Sequence, residues 1–154
     1  MGVSGCGKSS VGEALSARLS IPYFDGDDLH TPQAVEKMRQ GIPLTDDDRW
    51  PWLDRVAGVL QDKAPVIVGC SALKRAYRDR IRAGAGGPVT FVHLSGSRDL
   101  IASRMGERTG HYMPTSLLDS QFAALEAPGP DEAVTVDIAP DLPEIIEEIL
   151  ARLP

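Results

Sequence analysis

The sequence predicts an α/β protein in which helices cover both faces of a mostly parallel sheet, as one three-layer domain over residues 1–154. Two observations carry this prediction. Short apolar runs alternate along the chain with stretches in which apolar residues recur at helical spacing. In addition, residues 65–69 are apolar almost without a break, which is typical of a parallel strand covered on both faces. The chain shows neither a repeat nor a linker, so a single domain is expected.

A phosphate-binding motif stands at the beginning of the chain. It follows the pattern G-x-x-x-x-G-K-[ST], and its residues are Gly2, Val3, Ser4, Gly5, Cys6, Gly7, Lys8 and Ser9. In this motif the glycines let backbone N–H groups point at phosphates, the lysine reaches the β- and γ-phosphates, and the serine hydroxyl faces Mg²⁺. A helical pattern continues through Leu19. We therefore predict a nucleoside triphosphate site formed by the loop and Ser10.

A buried strand is expected before this motif, but only Met1 precedes Gly2. About five apolar residues would be needed to hold the loop in a parallel sheet. We therefore expect that the first strand is largely missing from this chain. The natural start should then lie further upstream, with Met1 inside that strand.

Composition limits the classes of partner. The chain has 22 acidic and 16 basic residues, and a net charge of −6 argues against nucleic acid or an anionic membrane as the main partner. Cys6 and Cys70 lie in a loop and at a strand end, which favours a reducing compartment over a disulfide framework. The sequence shows no apolar run of membrane-spanning length and no signal peptide. We expect a cytoplasmic protein that binds neither nucleic acid nor a membrane.

Two carboxylates follow the next predicted strand. Residues 21–24 form this short strand, and Asp25 and Asp27 come directly after it. Open α/β sheets bind ligands at the carboxyl ends of their strands, which favours a functional role for this pair. An ordinary Asp-Gly turn is the alternative.

Helices and a buried strand follow in the middle of the chain. Helices are predicted over residues 32–40 and 46–63, and a strand over 65–69. A basic helix comes next, for which a solvated face is the alternative. Lys74 and Arg78 nevertheless share one of its faces near the ligand-binding end of the strand.

An arginine pair marks a possible lid in the second half. Arg104 and Arg108 project from one side of a helix that Ser97 or Asp99 opens, and a glycine-containing connection follows. This arrangement predicts a lid around residues 104–114 that closes over phosphates. The other predicted elements are a strand over residues 89–94, a helix from residue 114, a strand over 133–137 and a helix over 142–153.

Together these features resemble the small-metabolite and nucleoside monophosphate kinases, and more closely the gluconokinase family. The resemblance covers essentially the whole chain. The stretches that carry it are Asp25-Gly26-Asp27, Leu29-His30, Glu36-Lys37-Met38, Gly41 with Pro43-Leu44, Asp46-Asp47-Asp48-Arg49, Pro51-Trp52-Leu53, Cys70-Ser71-Ala72-Leu73-Lys74, Tyr77-Arg78, Gly110-His111, Gln121-Phe122 and Leu125-Glu126.

The resemblance implies ATP-dependent phosphorylation of D-gluconate at its terminal hydroxyl. The products would be ADP and 6-phospho-D-gluconate, which feeds gluconate degradation and the pentose phosphate pathway. It also implies a P-loop kinase fold with a five-stranded parallel sheet in the order 2-3-1-4-5, bound ATP and Mg²⁺, and a homodimer. The alternatives are a shikimate or nucleoside monophosphate kinase of the same fold, or a P-loop switch protein, which the absence of an Asn-Lys-x-Asp run disfavours.

The resemblance and the substrate's chemistry suggest a role for each candidate residue. Asp27 is expected to accept or orient the proton of the attacking hydroxyl, while Ser9 and Asp25 order Mg²⁺. The residues expected to neutralise charge on the phosphoryl group are Lys8, Arg104 and Arg108, with Arg104 also against adenine. The candidate carboxylate ligands are Arg49, Lys74 and Arg78, and the candidate polyol ligands are His30, Lys37 and His111. Each lone histidine has a structural role as its alternative.

Overall fold

Helices and parallel strands alternate in the computed structural model of this protein, which describes residues 1–106 and 117–154. The helices are α1 (Lys8–Leu19), α2 (Pro32–Arg39), α3 (Asp46–Lys63), α4 (Arg75–Gly84), α5 (Arg98–Gly106), α6 (Leu118–Ala124) and α7 (Leu142–Arg152). The strands are β1 (Tyr23–Asp25), β2 (Ile67–Gly69), β3 (Phe91–Ser95) and β4 (Ala133–Asp137), and a 3₁₀ helix covers Gly26–Leu29. The predicted alternation is confirmed.

The described strands form two parallel pairs, β1 with β2 and β3 with β4, which we call the half-sheets. Met1 and Gly2 lie between them, with hydrogen bonds to β3 and to the residues just beyond β2. The Gly2 N–H donates to the Ser71 carbonyl at 3.1 Å, and the Leu94 N–H donates to the Met1 carbonyl at 2.9 Å. The parallel α/β class is therefore confirmed, and the first residues of the chain join the half-sheets.

An apolar cavity of about 510 Å³ lies between the half-sheets. Its walls include Val68 of β2, Val92 of β3 and Leu15 of α1, and Met1 also borders it. Residues 1–7, which precede α1, contain no strand. The space between β2 and β3 is thus lined by apolar side chains, and within residues 1–106 and 117–154 the backbone of Met1 and Gly2 links its two sides.

The starts of α2 and α3 follow from their capping residues. The Thr31 hydroxyl accepts from the Ala34 N–H at 3.2 Å. At α3, Thr45 and Asp48 form a reciprocal capping box, with N–H to side-chain oxygen distances of 2.9 and 3.1 Å. These caps satisfy N–H groups that a helix start leaves without partners, so both helices begin where the sequence predicts.

Two hydrophobic clusters hold the layers together. The first joins α1, α5 and α7 to β3 and β4 through residues such as Leu15, Ile101 and Ile149. The second packs α3 against α4 through Trp52, Val56, Tyr77 and Ile81. Burial of each large apolar side chain contributes about 1.5–3 kcal/mol to the stability of the fold. Because the clusters pack the helices against the strands, they also hold the strand ends that carry the polar residues. In the described ranges, no helix has both the length and the apolar character needed to cross a bilayer.

Candidate active site

The phosphate loop forms a cradle ahead of α1. Gly7, the residue before the helix, has a φ of 99°, a left-handed conformation that favours glycine, and a Cβ there would have nothing within 4 Å. The Lys8 ammonium lies inside the loop and donates to the carbonyls of Gly2 and Val3, both at 3.0 Å. The positive end of α1 faces the same space. Loop, helix end and Lys8 together suit a bound phosphate, as predicted.

Ser9 and Asp25 are brought together as the metal prediction required. The Ser9 hydroxyl donates to Asp25 Oδ2 at 3.2 Å. Hydroxyl and carboxylate oxygens are ligands that Mg²⁺ accepts, and this ion commonly takes its other ligands from substrate phosphates and water. The described residues contain no group of three or more His, Cys, Asp or Glu side chains suited to a metal. The pair of Ser9 and Asp25 supplies oxygen donors of the kind that Mg²⁺ accepts.

The turn that carries Asp27 is held from three sides. The Asp27 N–H donates to Asp25 Oδ1 at 2.9 Å, so one carboxylate connects the turn to Ser9. A Cβ on Gly26 would lie 2.3 Å from the Gly69 carbonyl oxygen, so only glycine fits there. The buried Trp52 indole donates to the Gly26 carbonyl at 2.7 Å. These contacts fix Asp27 at the carboxyl ends of β1 and β2, as the sequence predicts.

His30 lies beside this turn in a buried stack. Its ring is 4.1 Å from that of Trp52 with an interplanar angle of 18°, and its Nε2 is 3.9 Å from Asp27 Oδ1. Burial, and then the positive charge of Arg49, lower the pKa of His30 to about 4, so the imidazole is neutral at neutral pH. Its Nδ1 has no hydrogen-bond partner among the described residues. A neutral imidazole near Asp27 fits the predicted role as a polyol ligand.

A second cavity, of about 330 Å³, opens between α3, α4 and α6; we call it the acceptor cavity. Arg49 and Lys74 both line it, and their charged groups lie 5.4 and 5.6 Å from the ring centre of Tyr77. Lys74 Nζ is also 3.3 Å from Asp46 Oδ1. Two of the three predicted carboxylate ligands therefore share one cavity, which offers cations and a carboxylate to a ligand that carries both an acid group and hydroxyls.

Tyr77 and Asp46 set the electrostatics of the acceptor cavity. The Tyr77 hydroxyl donates to Asp46, and this hydrogen bond is the main reason that the pKa of Asp46 is lowered. Burial raises the pKa of Tyr77 to about 12, so the phenol remains a donor. The buried Nε of Arg49 has no hydrogen-bond partner in the described part of the chain. Arg49 is therefore the cation best suited to receive a ligand in this cavity.

The surroundings of Arg78 do not favour its predicted role as a substrate ligand. Its side chain is 1% exposed, and all five guanidinium N–H groups have protein acceptors. The acceptors are the two carboxylate oxygens of Glu132 and the carbonyls of Ala72, Leu73 and Glu126. The sequence placed Arg78 on the face of Lys74, but the Arg78 side chain turns into the protein while Lys74 lines the acceptor cavity. Arg78 instead joins α4 to the segment between α6 and β4.

The remaining predicted site residues have other contacts, are exposed, or fall outside the described residues. Lys37 donates to Asp48 at 2.9 Å and so supports the capping box of α3. Arg104 donates to the Ile138 carbonyl at 2.9 Å, just beyond β4. Ser10 is exposed in the first turn of α1. Arg108 and His111, with most of the predicted lid at 104–114, fall outside the described residues, and their roles stay predictions.

Asp48 should give the protein a measurable dependence on acid. Its hydrogen bond to Lys37, and then that from the Thr45 N–H, lower its pKa from 3.8 to about 2. Because the folded pKa is the lower one, the stabilisation is complete above the unfolded pKa and is lost as pH falls from about 4 toward 2. Asp48→Asn is expected to lower the free energy of unfolding by about 1 kcal/mol at pH 7, and the deficit should shrink below pH 4. Urea unfolding at several pH values measures this, with the exposed Asp47→Asn as control; a deficit independent of pH contradicts it.

Three residues of the site were missed as functional candidates. From the sequence, no functional role was assigned to Trp52, Tyr77 or Gln121. All three belong to stretches that carry the family resemblance, which is the one signal that could have pointed to them. Gln121 Oε1 accepts from the Ser4 N–H at 2.6 Å, although the two residues are 117 positions apart.

The parallel α/β fold, the phosphate loop and the Ser9–Asp25 pair at a strand end define a kinase of the P-loop class. A family model described as an AAA domain matches residues 1–128. The chain is 44% identical over 154 residues to the thermosensitive gluconokinase of Escherichia coli (strain K12), covering 96% of this chain and 82% of that protein. The chain belongs to the gluconokinase family.

Solved structures agree with this membership. A gluconokinase from Sinorhizobium meliloti 1021 superposes with a TM-score of 0.90 at 54% identity, over 98% of this chain and 87% of that one. The APS kinase CysC of Mycobacterium tuberculosis superposes with a TM-score of 0.68 at 21% identity, over 98% of this chain and 92% of that one. The second likeness shows the fold alone.

Proposed function

We propose that this protein transfers the γ-phosphoryl group of ATP to the terminal hydroxyl of D-gluconate, giving 6-phospho-D-gluconate and ADP. The observation that carries the proposal, for a member of this family, is the Asp25 side chain. It joins Ser9 of the phosphate loop to the turn that bears Asp27, with oxygen–oxygen and nitrogen–oxygen distances of 3.2 and 2.9 Å. Donor and acceptor groups of a phosphoryl transfer would thus be held by one connected set of residues.

The acceptor cavity supports an acid substrate. D-gluconate carries a carboxylate at one end and a primary hydroxyl at the other. Arg49 and Lys74 would bind the carboxylate, because they line the cavity together and Arg49 has a buried Nε without a partner among the described residues. His30 would contact the polyol, and Lys37 and His111 remain further candidates.

Asp27 would act on the attacking hydroxyl. Its carboxylate would accept or orient the hydroxyl proton, while the loose transition state would leave most of the catalysis to alignment and charge neutralisation. Lys8, Arg104 and Arg108 would supply positive charge to the transferred group. Mg²⁺, held beside Ser9 and Asp25, would neutralise phosphate charge when the nucleotide is bound.

We further propose the sheet order 2-3-1-4-5, a homodimer and a cytoplasmic location. In this order β1, β2, a strand leading into Met1, β3 and β4 lie side by side. The hydrogen bonds of Met1 and Gly2 to both half-sheets, and the apolar cavity of about 510 Å³ between them, support a central strand at this position. The two cysteines are both free, which suits a reducing compartment.

An ADP-release assay with ATP and Mg²⁺ tests the function. We expect turnover with D-gluconate and none with shikimate, AMP, CMP or UMP, and loss of turnover when EDTA removes the metal. Turnover with one of the other acceptors alone assigns the protein to another kinase of this fold. ATP binding by a folded protein without transfer to any acceptor supports a switch protein instead.

The same assay on a chain extended by five apolar residues before Met1 tests the sheet order. A central strand should raise both resistance to urea and turnover, since it would complete hydrogen bonds on both sides and fill apolar space. An extension that leaves both unchanged contradicts the proposed order. Sedimentation velocity on the same samples shows whether the protein is a dimer.

A further inference from the structure

Gln121 belongs to two parts of the site at once. Its side-chain oxygen accepts from the Ser4 N–H of the phosphate loop at 2.6 Å. The same residue lines the acceptor cavity, across which lie Arg49, Lys74 and Tyr77. Ser4 is 9% exposed, so this hydrogen bond is made where water competes little.

The other end of α6 is fixed to the wall of the same cavity. Glu126, two residues beyond α6, donates its N–H to the Leu73 carbonyl at 2.8 Å. Its side chain accepts from the Arg75 N–H, also at 2.8 Å, at the start of α4. Lys74 lies between these two contacts and lines the cavity. A ligand that draws Lys74 and α6 together therefore acts on a helix that is hydrogen-bonded to the phosphate loop through Gln121.

We propose that Gln121 is a positioning residue that couples the two substrates, so that filling the acceptor cavity tightens nucleotide binding at the phosphate loop and the reverse. This rests on the proposed function, because the cavity ligand is taken to be a sugar acid. The coupling must be reciprocal, since a change that one ligand makes in the affinity for the other holds in both directions. Typical couplings are about 5–150-fold in affinity.

Two substitutions separate coupling from binding. Gln121→Met keeps the length of the side chain but removes the oxygen that Ser4 contacts. Gln121→Glu keeps an acceptor oxygen but adds negative charge near two anionic ligands. Asp119→Asn alters an exposed residue of the same helix that accepts a hydrogen bond from Arg98, and it serves as the matched control.

Calorimetry gives the Kd of a non-hydrolysable ATP analogue with Mg²⁺, with and without saturating D-gluconate. We expect the Kd without D-gluconate to be at least about five times the Kd with it in the unmodified protein and in Asp119→Asn, and the two values to become about equal in Gln121→Met. Gln121→Glu should weaken both ligands separately but keep the ratio.

The other outcomes of this experiment contradict either the coupling or the proposed function. A ratio of one in the unmodified protein, or an unchanged ratio in Gln121→Met, overturns the coupling role while the assay for phosphoryl transfer stands. If the two Kd values also become equal in Gln121→Glu, which keeps an acceptor oxygen, the Ser4 hydrogen bond does not carry the coupling. An unmodified protein that binds the nucleotide but no D-gluconate overturns the proposed function, and the coupling proposal with it.

Discussion

Asp27→Asn is expected to reduce kcat for D-gluconate by about 10²–10⁴-fold, the usual range for loss of a general base. The amide retains the size of the carboxylate but cannot accept the hydroxyl proton. The contacts that hold the turn use the Asp27 backbone N–H and the Gly26 carbonyl, so they survive the substitution. The Kd for ATP should therefore stay within about twofold of normal, and steady-state kinetics with equilibrium binding measure both quantities.

Asp28→Asn is the matched control for this prediction. Asp28 is the next residue, lies in the same 3₁₀ helix and is exposed. The substitution Asp28→Asn therefore removes the same charge from the same turn. It should change kcat by less than about threefold, in keeping with a surface substitution. Equal losses in both variants would show that charge near the loop matters and that Asp27 has no special role. Normal turnover in Asp27→Asn would exclude it as the proton acceptor.

Arg78→Met is expected to lower the free energy of unfolding by about 3–5 kcal/mol, because it leaves the buried Glu132 carboxylate without its main partner. The Glu132 side chain is 7% exposed, and the hydrogen bond from Arg78 is the main reason that its pKa is lowered. Three backbone carbonyls, those of Ala72, Leu73 and Glu126, lose a donor as well. Urea unfolding followed by circular dichroism measures the loss.

Arg80→Met is the control, since Arg80 lies on the same helix and pairs with Asp54 in the open, where the two side chains are 46% and 55% exposed. Exposed pairs contribute about 0–1 kcal/mol, so this variant should unfold almost normally. Adding Glu132→Leu to Arg78→Met should recover part of the loss, because no buried charge is then left unpaired. A loss below about 1 kcal/mol in Arg78→Met contradicts the structural role and reopens a ligand role.

Short-range patterns predict most of the fold. The capping residues Thr31 and Thr45 start α2 and α3 where expected, and the strand over Ala133–Asp137 has the predicted bounds. The first strand pattern of residues 21–24 is displaced slightly, to Tyr23–Asp25. Apolar periodicity and caps act within a few residues of the chain, which is why a sequence reveals them.

The part of the site that lies near the phosphate loop is also predictable. Ser9, Asp25 and Asp27 follow from a motif and from the rule that ligands bind at the carboxyl ends of strands. Arg78 could not be assigned in this way, because its burial depends on Glu132, which is 54 positions away. A periodic pattern shows that an arginine shares a helix face with Lys74, but it does not show which residues from distant elements cover that face.

Met1 and Gly2 have a consequence for how this protein holds together. They contact both half-sheets and lead directly into the phosphate loop, so the nucleotide site is built on the seam of the domain. A ligand bound only by the folded state at about a hundred times its Kd adds about 2.7 kcal/mol to the free energy of unfolding. Here the added free energy would oppose separation of the two half-sheets, because the bound phosphates would lie against the loop that joins them. Bound ATP would therefore stabilise the joining of the two half-sheets and, with it, the folded state of the domain.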